Sequence, residues 1–411
     1  MSSINLQNIR NLFPILHQEV NNFPLIYLDN AATTQKPLQV IEALQSYYKF
    51  DNANIHRGAH TLADRSTGMF EATRKAVQQF IHAAEAEECI FTKGVTESIN
   101  LVAQTWCKKF INKGDEIIIT HMEHHSNIVP WQLICEEKEA ILKVIPIHTN
   151  GTLDMEVFYQ LLSDQTKLIS CVWASNALGT INPIEEIIRA AHAKNAIVFI
   201  DGAQAGSHIE IDVQRLDIDF LALSSHKLYG PTGVGVLYGK RKLLEAMPPY
   251  QSGGEMIREV SFEKTTFNDI PFKFEAGTPN IADVIAFKFA LDFVNELGKT
   301  KIIAHEHALL NQFVSGVKSL NSSFGSDEIE LIGTAEEKVA VQSFVIHNKH
   351  HFDIGLMLDA RGIAVRTGHH CTQPLMNFYN IEGTVRASFA IYNTIEEVDA
   401  LVEAIKKIIK K

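Results

Sequence analysis

Residues 197–235 decide the fold: IVFIDGAQAGSHIEIDVQRLDIDFLALSSHKLYGPTGVG. Two short apolar runs in this stretch, IVFID and DFLALSS, predict strands, and polar side chains follow each run. The carboxyl ends of strands line the ligand crevice of an open α/β sheet, so these polar residues are predicted to share one pocket: Asp201, Gln204, Ser224, His226 and Lys227. The alternative is a set of surface loops, but the glycines of LYGPTGVG let backbone approach a ligand closely.

Further apolar runs extend this pattern along the chain. Because several are apolar throughout and helical stretches separate them, a mainly parallel α/β sheet covered on both faces is expected. The runs lie at residues 116–120, 142–147, 167–174, 196–201, 219–225 and 233–239. One intervening helix is predicted over residues 66–82, with Glu71 and Lys75 as an outward pair. Another is predicted over residues 96–110, with Phe110 on its buried face.

The pattern changes in the last part of the chain. Residues 248–280 are rich in Gly, Pro and polar residues, which predicts a loop-rich crossing. The elements that follow predict a second, smaller α+β domain: a helix from about residue 281, a strand at 339–346, a helix near 353–361 and a C-terminal helix from Thr394.

Composition places the chain among ordinary folded proteins. Of its 411 residues, 46% are hydrophobic and 21% are charged, which argues against disorder and coiled coils. The net charge of −11 argues against a nucleic-acid partner or an anionic membrane surface. The five cysteines lie far apart with no C-x-x-C pair, so a reducing compartment fits best. With no secretion signal and no run of about 18 apolar residues, the expected location is the cytoplasm.

The predicted pocket has the groups that pyridoxal phosphate requires. Lys227 would form a Schiff base, Asp201 would keep the pyridine nitrogen protonated, and residues 94–96 would meet the phosphate at the positive end of a helix. Taken alone, Thr96 is better explained as a helix cap, and its value as a phosphate contact lies in its coincidence with the other groups. His124 is the candidate to stack on the cofactor ring and to move protons, although a structural role would also explain this histidine.

A set of motifs gives the chain a family resemblance. In consistent order from about residue 10 to the C-terminus, they are LDNAATTQKP at 28–37, NIHRGAHTL at 54–62, MEHHSNIVPW at 122–131, DGAQA at 201–205, SSHKLYGPTGVG at 224–235, FEAGTPN at 274–280 and RTGHHCTQPLM at 366–376. The chain resembles the SufS-type cysteine desulfurases, which belong to the class V aminotransferase group of fold-type I pyridoxal phosphate enzymes.

The resemblance implies a homodimer with active sites near the subunit interface. It also implies three parts in each chain: an N-terminal segment that packs with the small domain (residues 1–25), a large cofactor domain (26–285) and a small C-terminal domain (286–411).

Matching the motifs carries the family's site roles onto this sequence. Lys227 corresponds to the residue that carries the cofactor, Asp201 to the partner of the pyridine nitrogen, and His124 to the ring-stacking residue. The remaining cofactor contacts implied are Thr96, Asn176, Gln204, Ser224, His226 and, reaching over from the other subunit, Thr278. The implied substrate contacts are Arg386, which takes the substrate carboxylate, together with Asn176, Arg366 and His56.

Cys371 is the decisive residue of the resemblance. A buried, inert cysteine is the usual outcome for any one of five. Here the residue follows His369 and His370 in a glycine-containing loop, a setting that favours the thiolate and attack on sulfur. The resemblance makes Cys371 the persulfide carrier, and its short RTGHHC context is similar to the SufS-type branch rather than the NifS/IscS-type branch. Val95 and Ser225 depart from the family pattern, but neither departure removes a residue that the resemblance assigns to the site.

The resemblance implies conversion of L-cysteine to L-alanine. Lys227 would remove the α-proton, and His124 is a candidate proton donor or acceptor. The sulfur would be held on Cys371 as a persulfide and passed to an acceptor protein of SufE or SufU type, for iron–sulfur cluster assembly.

Three alternative functions stay open at this point. The first is a different lyase or aminotransferase on the same scaffold, including a lyase for L-selenocysteine. The second is a catalytically silent sulfur-relay or scaffold protein. The third is a zinc hydrolase, which no H-E-x-x-H motif supports; its candidate ligands are His121, His124, His125, His369, His370 and Cys371. The histidine-rich tract at 347–351 is predicted to be a solvated loop or turn.

Overall fold

A seven-stranded sheet forms the centre of the structure, a computed structural model that describes residues 5–410. From one edge to the other its strands are Cys89–Thr92, Gly235–Gly239, Phe220–Ser224, Ile197–Asp201, Thr166–Val172, Glu116–Thr120 and Ile141–Ile145. Gly235–Gly239 runs antiparallel to both of its neighbours, and the other strands run parallel to one another. The expectation of a mainly parallel α/β sheet is confirmed.

Both faces of this sheet are buried, which explains the uninterrupted apolar runs. Every residue of Glu116–Thr120 is buried. Ile118 packs into the hydrophobic core on one face of the sheet, whereas Ile117 and Ile119 pack into the core on the other. Successive side chains of a strand point to opposite faces, so a strand between two cores needs apolar residues at both.

Helices cover the two faces and connect the strands. They are Leu38–Ser46, Thr61–Phe80, Val95–Val102, Lys108–Phe110, Val129–Lys138, Met155–Leu161, Ile184–His192, Ala205–His208, Arg241–Ala246 and Ile281–Leu297. A π-helical turn, Ala103–Cys107, joins Val95–Val102 to Lys108–Phe110, so the helix predicted over residues 96–110 is present. Phe110 at its end is 37% exposed, so its predicted place on the buried face is wrong.

The helix predicted over residues 66–82 is the helix Thr61–Phe80. Its predicted Glu71–Lys75 pair is wrong, because Glu71 contacts Arg74 and His56 instead. The Arg74 side chain is buried, and Glu71 and Glu275 both accept hydrogen bonds from its guanidinium. A buried cation needs such partners more than an exposed lysine does.

Residues 248–280 contain a β-hairpin that the sequence did not indicate. Its strands are Ile257–Val260 and Thr265–Phe267. No residue of either strand is buried, so their sequence carries no apolar alternation.

A second unit is built on a four-stranded antiparallel sheet, as the predicted smaller α+β domain requires. Its strand order is Ile329–Ile332, Val341–Ile346, Thr384–Ser388 and Arg366–Gly368. Its helices are Lys299–Phe324, His351–Asp359, Gln373–Phe378 and Ile395–Ile409. A capping box formed by Thr394 and Glu397 begins the last helix where the sequence predicts it. In the tract 347–351, His347 lies in a turn and His350 caps the helix that follows.

The N-terminal segment lies against this second unit. Leu6–Asn11 is helical, and Arg10 forms an ion pair with Glu397 at 2.8 Å. The Asn21 side-chain amide group donates to the Asp359 carbonyl at 2.7 Å. The short strand Ile26–Tyr27 then pairs in parallel with Ile363–Ala364. Residues 1–4, which belong to the predicted N-terminal segment, lie outside the described residues.

Candidate active site

A cavity of about 630 Å³ opens at the carboxyl edge of the parallel strands. Most of the predicted site residues line it, drawn from both units of the structure: Thr96, His124, Asn176, Asp201, Gln204, Ser224, His226, Lys227, Arg366 and Arg386. Strand ends of the large sheet supply one wall, and Arg386, on Thr384–Ser388 of the small sheet, reaches in from the other. The crevice predicted from two strand ends is therefore present.

Lys227 and Asp201 both line this cavity, and the charge of each acts on the pKa of the other. Asp201 ends the strand Ile197–Asp201, is 2% exposed and accepts a hydrogen bond from the Ala203 amide at 2.9 Å. Loss of solvent lowers the pKa of Lys227 to about 8, although the Asp201 charge acts in the opposite direction. Burial likewise raises the pKa of Asp201 above its usual range. A lysine with a pKa near neutrality is able to hold or lose its proton during a reaction.

The first turn of the helix Val95–Val102 forms a small backbone cradle. Gly94 precedes the helix with a φ of +153°, and a Cβ placed on Gly235 would lie 2.4 Å from the Gly94 Cα. Only glycine at position 235 permits this approach. The Val95 amide donates to the Ser224 hydroxyl at 3.0 Å, so these two groups are paired in the protein alone. Thr96 lies in the first turn of the helix and is not its cap.

His124 has a fixed tautomer. The Ser126 amide donates to its Nδ1 atom at 3.1 Å, and the Ser126 hydroxyl lies 2.5 Å from the same atom. Because Nδ1 accepts, the ring proton of the neutral form is on Nε2. Burial, followed by the charge of Lys227, lowers the pKa of His124 to about 4. The imidazole is therefore neutral near pH 7 and acts as a donor through Nε2.

A buried carboxyl group holds the loop that carries His124. Glu123 is fully buried, and it accepts hydrogen bonds from the Val172 amide at 2.9 Å and the Asn127 amide group at 2.6 Å. Burial raises its pKa to about 8. These contacts tie the loop to the end of the neighbouring strand, Thr166–Val172, and so position His124.

Arg386 is buried in the opposite wall, and one of its donor atoms has no hydrogen-bond partner among the described residues. Its guanidinium donates to Asp29 Oδ1 at 2.8 Å and to the Asn176 carbonyl at 2.9 Å. Its Nε atom and the Asn176 Oδ1 atom are buried without a hydrogen-bond partner in the described part of the chain. Buried polar atoms are rarely left unpaired, so these two atoms indicate a site for a polar ligand.

Cys371 lies on a short, strained loop beside the cavity. His370 and Cys371 have φ values of +52° and +58°, a left-handed conformation that costs non-glycine residues roughly 1–2 kcal/mol each. The Cys371 carbonyl accepts from the His125 amide at 2.8 Å, and the Asn176 amide group donates to the His370 carbonyl at 2.8 Å. His370 lines the cavity itself, and the Cys371 charge acts on the pKa of Lys227.

Thr278 and His56, like Cys371, are not among the residues that line this cavity. Thr278 lines a smaller neighbouring cavity of about 160 Å³, so its predicted contact across a subunit interface stays a prediction. His56 does not line the main cavity. Its Nε2 atom contacts Glu71 Oε1 at 3.0 Å, and its ring packs edge-on against Phe70 and Phe272. The predicted substrate contact of His56 therefore stays a prediction.

The sequence analysis also missed several residues of the cavity wall. They are Lys93, Glu97, Asn100, Tyr250, Gln251 and His370. Glu97 and Asn100 were accessible from sequence, since they follow Gly94 at helical spacing and share its side of the helix. Tyr250 and Gln251 lie in the irregular stretch after residue 248, where no periodicity indicates which way a side chain points.

The described residues were also predicted to offer a metal site as one alternative. Within residues 5–410, no group of three or more His, Cys, Asp or Glu side chains has the arrangement to hold a metal ion. The five cysteines are free thiols, with Cys371 half-buried and the others buried. Over the same residues, no helix is both long and apolar enough to cross a membrane.

Acid is expected to destabilise the protein through the cavity histidines. Burial lowers the pKa of both His124 and His226 from 6.5 to about 4. Between these values the unfolded chain binds more protons at these two histidines than the folded chain does, so their contribution to the free energy of unfolding should fall as the pH drops from 6.5 toward 4. The check is the urea midpoint of the ligand-free protein at about pH 7 and about pH 5. His226→Gln should reduce the difference between the two midpoints, and an unchanged difference would contradict this role.

The chain is similar to known proteins along nearly its whole length. Residues 26–401 match the aminotransferase class-V family. The chain is 50% identical over 403 residues to a cysteine desulfurase of Synechococcus elongatus, spanning 98% of this chain and 63% of that protein's length. It is 47% identical to a probable cysteine desulfurase of Vibrio cholerae, with 98% of each chain covered. The solved apo structure of a cysteine desulfurase from Thermococcus onnurineus superposes with a TM-score of 0.93 at 36% identity, covering 100% of both chains.

Proposed function

Because the chain belongs to the aminotransferase class-V family and to its cysteine desulfurase branch, we propose that it converts L-cysteine to L-alanine and holds the released sulfur on Cys371. One observation carries the proposal. The Lys227–Asp201 pair, the buried Arg386 and the loop of Cys371 surround one cavity. Proton removal, substrate carboxylate binding and sulfur capture each have a suitable group there.

The cavity fits pyridoxal phosphate. Its wall offers a lysine, a buried carboxylate and a backbone cradle, and on its far side Asn176 Oδ1 and Arg386 Nε have no hydrogen-bond partner among residues 5–410. Lys227 would hold the aldehyde carbon, Asp201 the pyridine nitrogen and His124 the ring face. Gln204 would bond the ring oxygen, and Thr96, Ser224 and His226 would bind the phosphate. When bound, the cofactor delocalises the electron pair left after the α-proton is removed.

Arg386 and Lys227 would orient the substrate and move its proton. The Arg386 guanidinium is held by Asp29 and the Asn176 carbonyl, so its orientation toward a carboxylate is set before binding. Arg366 lines the same wall. The Lys227 amine, with its pKa lowered to about 8, takes the α-proton, and His124 Nε2 is placed to donate or accept a second proton.

Cys371 would capture the sulfur. Its Sγ attacks the substrate sulfur, an S–S bond forms and the Cβ–S bond breaks. The electron pair of the broken bond stays on Cβ, which then takes a proton to complete alanine. One cysteine thiol and L-cysteine thus yield a persulfide and L-alanine with no external oxidant.

The persulfide must then be transferred. We propose a SufS-type enzyme that passes the sulfur to an acceptor protein of SufE or SufU type for iron–sulfur cluster assembly. We also propose L-selenocysteine as a second substrate of the same site. The free thiols support a cytoplasmic location.

We also propose a homodimer in which each chain divides into residues 1–25, 26–285 and 286–411. The ion pair of Arg10 with Glu397 and the hydrogen bond of Asn21 to Asp359 support packing of the first segment on the third.

The activity is tested by incubating the purified, cofactor-loaded protein with L-cysteine and a thiol reductant. Alanine and sulfide are expected in equal amounts, since each turnover yields one alanine and one sulfur that the reductant releases. Sulfide without alanine would indicate a different lyase reaction and contradict the proposal.

Arg386→Lys is expected to raise KM for L-cysteine about tenfold or more, because lysine cannot offer the paired donors that bind a carboxylate. The measurement is steady-state alanine formation against L-cysteine concentration. Arg10→Lys is the matched control, since Arg10 also contacts a carboxylate and a backbone carbonyl but lies away from the cavity. An unchanged KM in Arg386→Lys would rule out the assigned contact.

A further inference from the structure

Residues 29–36 cross the cavity between the two units of the protein. At one end, Asp29 contacts Arg386 at 2.8 Å. Beside it, the Asn30 amide group donates to the Ser388 carbonyl at 2.6 Å, and the Ala31 amide donates to the Ser388 hydroxyl at 2.9 Å. This end is therefore bound to the strand Thr384–Ser388, which carries Arg386.

The middle of the segment forms part of the cavity wall. Ala31 and Ala32 line the cavity, and the Ala31 carbonyl accepts a hydrogen bond from the Gln204 amide group at 2.7 Å. The same backbone thus contacts both the substrate side and the cofactor side of the site.

At the other end of the segment, several groups contact the peptide bond between His226 and Lys227. The His226 carbonyl accepts hydrogen bonds from the Thr34 amide at 3.0 Å, the Thr33 hydroxyl at 3.0 Å and the Lys36 ammonium at 3.0 Å. The Thr34 hydroxyl lies 3.1 Å from the same oxygen and accepts from the Tyr229 amide at 2.8 Å. A carbonyl oxygen has two lone pairs, so a set of donors this dense holds it with little freedom.

Lys36 has an unusual environment for a lysine. Its ammonium is half-buried and donates to the carbonyls of Thr34 and His226 and to the Thr33 hydroxyl. No carboxylate of the described residues forms an ion pair with it. Burying a cation without a counter-charge is costly, so its retention points to a specific task.

We propose that residues 29–36 are a positioning strap: Thr33, Thr34 and Lys36 fix the peptide that carries Lys227, while Asp29 fixes Arg386. The strap sets the distance between the group that binds the substrate carboxylate and the group that takes its α-proton. It acts through these residues and is not itself catalytic. The inference rests on the proposed function, because Lys227 matters here as the residue that holds the cofactor.

The test compares cofactor-loaded Lys36→Met with the wild-type protein. The rate of pyridoxal phosphate release into an excess of a competing scavenger is measured, together with kcat and KM for L-cysteine. Loss of one charge-assisted hydrogen bond to the Lys227 peptide is expected to speed release about tenfold. We expect kcat to fall while KM changes little, because the Arg386 end of the strap is intact.

Lys299→Met is the matched control. Lys299 is another buried lysine that donates to a backbone carbonyl, at 3.2 Å from Ile209, and it lies away from the cavity. Its loss should lower stability without changing cofactor release. If Lys36→Met fails to fold, Thr33→Val removes one donor to the same carbonyl at nearly constant volume and should also speed release.

Three results would contradict the proposed role of the strap. They are a wild-type rate of cofactor release in Lys36→Met, an equally fast release in Lys299→Met, and, where Lys36→Met does not fold, a wild-type rate of release in Thr33→Val. A failure of the proposed function is distinguishable from these results. In that case the wild-type protein would not take up pyridoxal phosphate, or Lys227→Ala would hold it with unchanged absorbance. Either result would contradict the proposed function and, with it, the proposed role of the strap.

Discussion

Lys227→Ala is expected to abolish alanine formation from L-cysteine, with a loss of about 1,000-fold or more. The substitution removes both the amine that holds the cofactor and the base that takes the α-proton. Loss of solvent lowers the pKa of this amine to about 8, whereas His124 has a pKa of about 4 and is a much weaker base. The measurements are alanine released per minute and the absorbance of the bound cofactor.

Lys299→Ala is the control for this variant. It removes a buried lysine whose pKa is also about 8, but at a place remote from the cavity. It should keep both the cofactor absorbance and the activity of the wild-type protein. Full turnover by Lys227→Ala would refute the assignment of this residue.

Treatment with L-cysteine in the absence of reductant is expected to add one sulfur atom to the peptide that contains Cys371. Cys371 is the half-buried cysteine of the chain. Burial raises the pKa of the Cys89 thiol to about 12 and that of Cys135 to about 11. Those thiols are protonated and enclosed, whereas a nucleophile must be a thiolate within reach of the substrate. Mass spectrometry of the digested protein locates the added sulfur.

Cys371→Ala should show no added sulfur anywhere, and Cys135→Ala should show the same modification of Cys371 as the wild-type protein. Extra sulfur on a cysteine other than Cys371 would contradict the assignment.

The sequence predicted the sheet and the floor of the site because both depend on local pattern. A strand buried on both faces needs apolar residues on both, and residues 117–119 and 220–223 supply them. Polar residues at the ends of parallel strands must meet at one edge, as Asp201 and Lys227 do.

The errors concern features that the sequence neighbours do not determine. Glu71 pairs with Arg74 rather than Lys75 because the buried Arg74 guanidinium requires counter-charges, and burial is a tertiary property. His56 was assigned to the substrate by resemblance alone. Within one chain its side chain contacts Glu71, and its substrate contact stays a prediction. The hairpin after residue 248 has no buried strand residue, so no apolar period indicated it.

The contacts of the strap, residues 29–36, could not be predicted from the sequence either. LDNAATTQKP was recognised as a motif, but no spacing in it indicates that Thr33 and Lys36 would meet a carbonyl almost two hundred positions away, at His226. Long-range contacts of this kind become visible only when the units pack together.

The most direct measurement is alanine released from L-cysteine by the cofactor-loaded protein with a thiol reductant present, for the wild-type chain and Cys371→Ala side by side. The desulfurase mechanism predicts alanine from the wild-type chain and none from the variant. Equal alanine from both would mean that the reaction bypasses Cys371, and it would contradict the central claim.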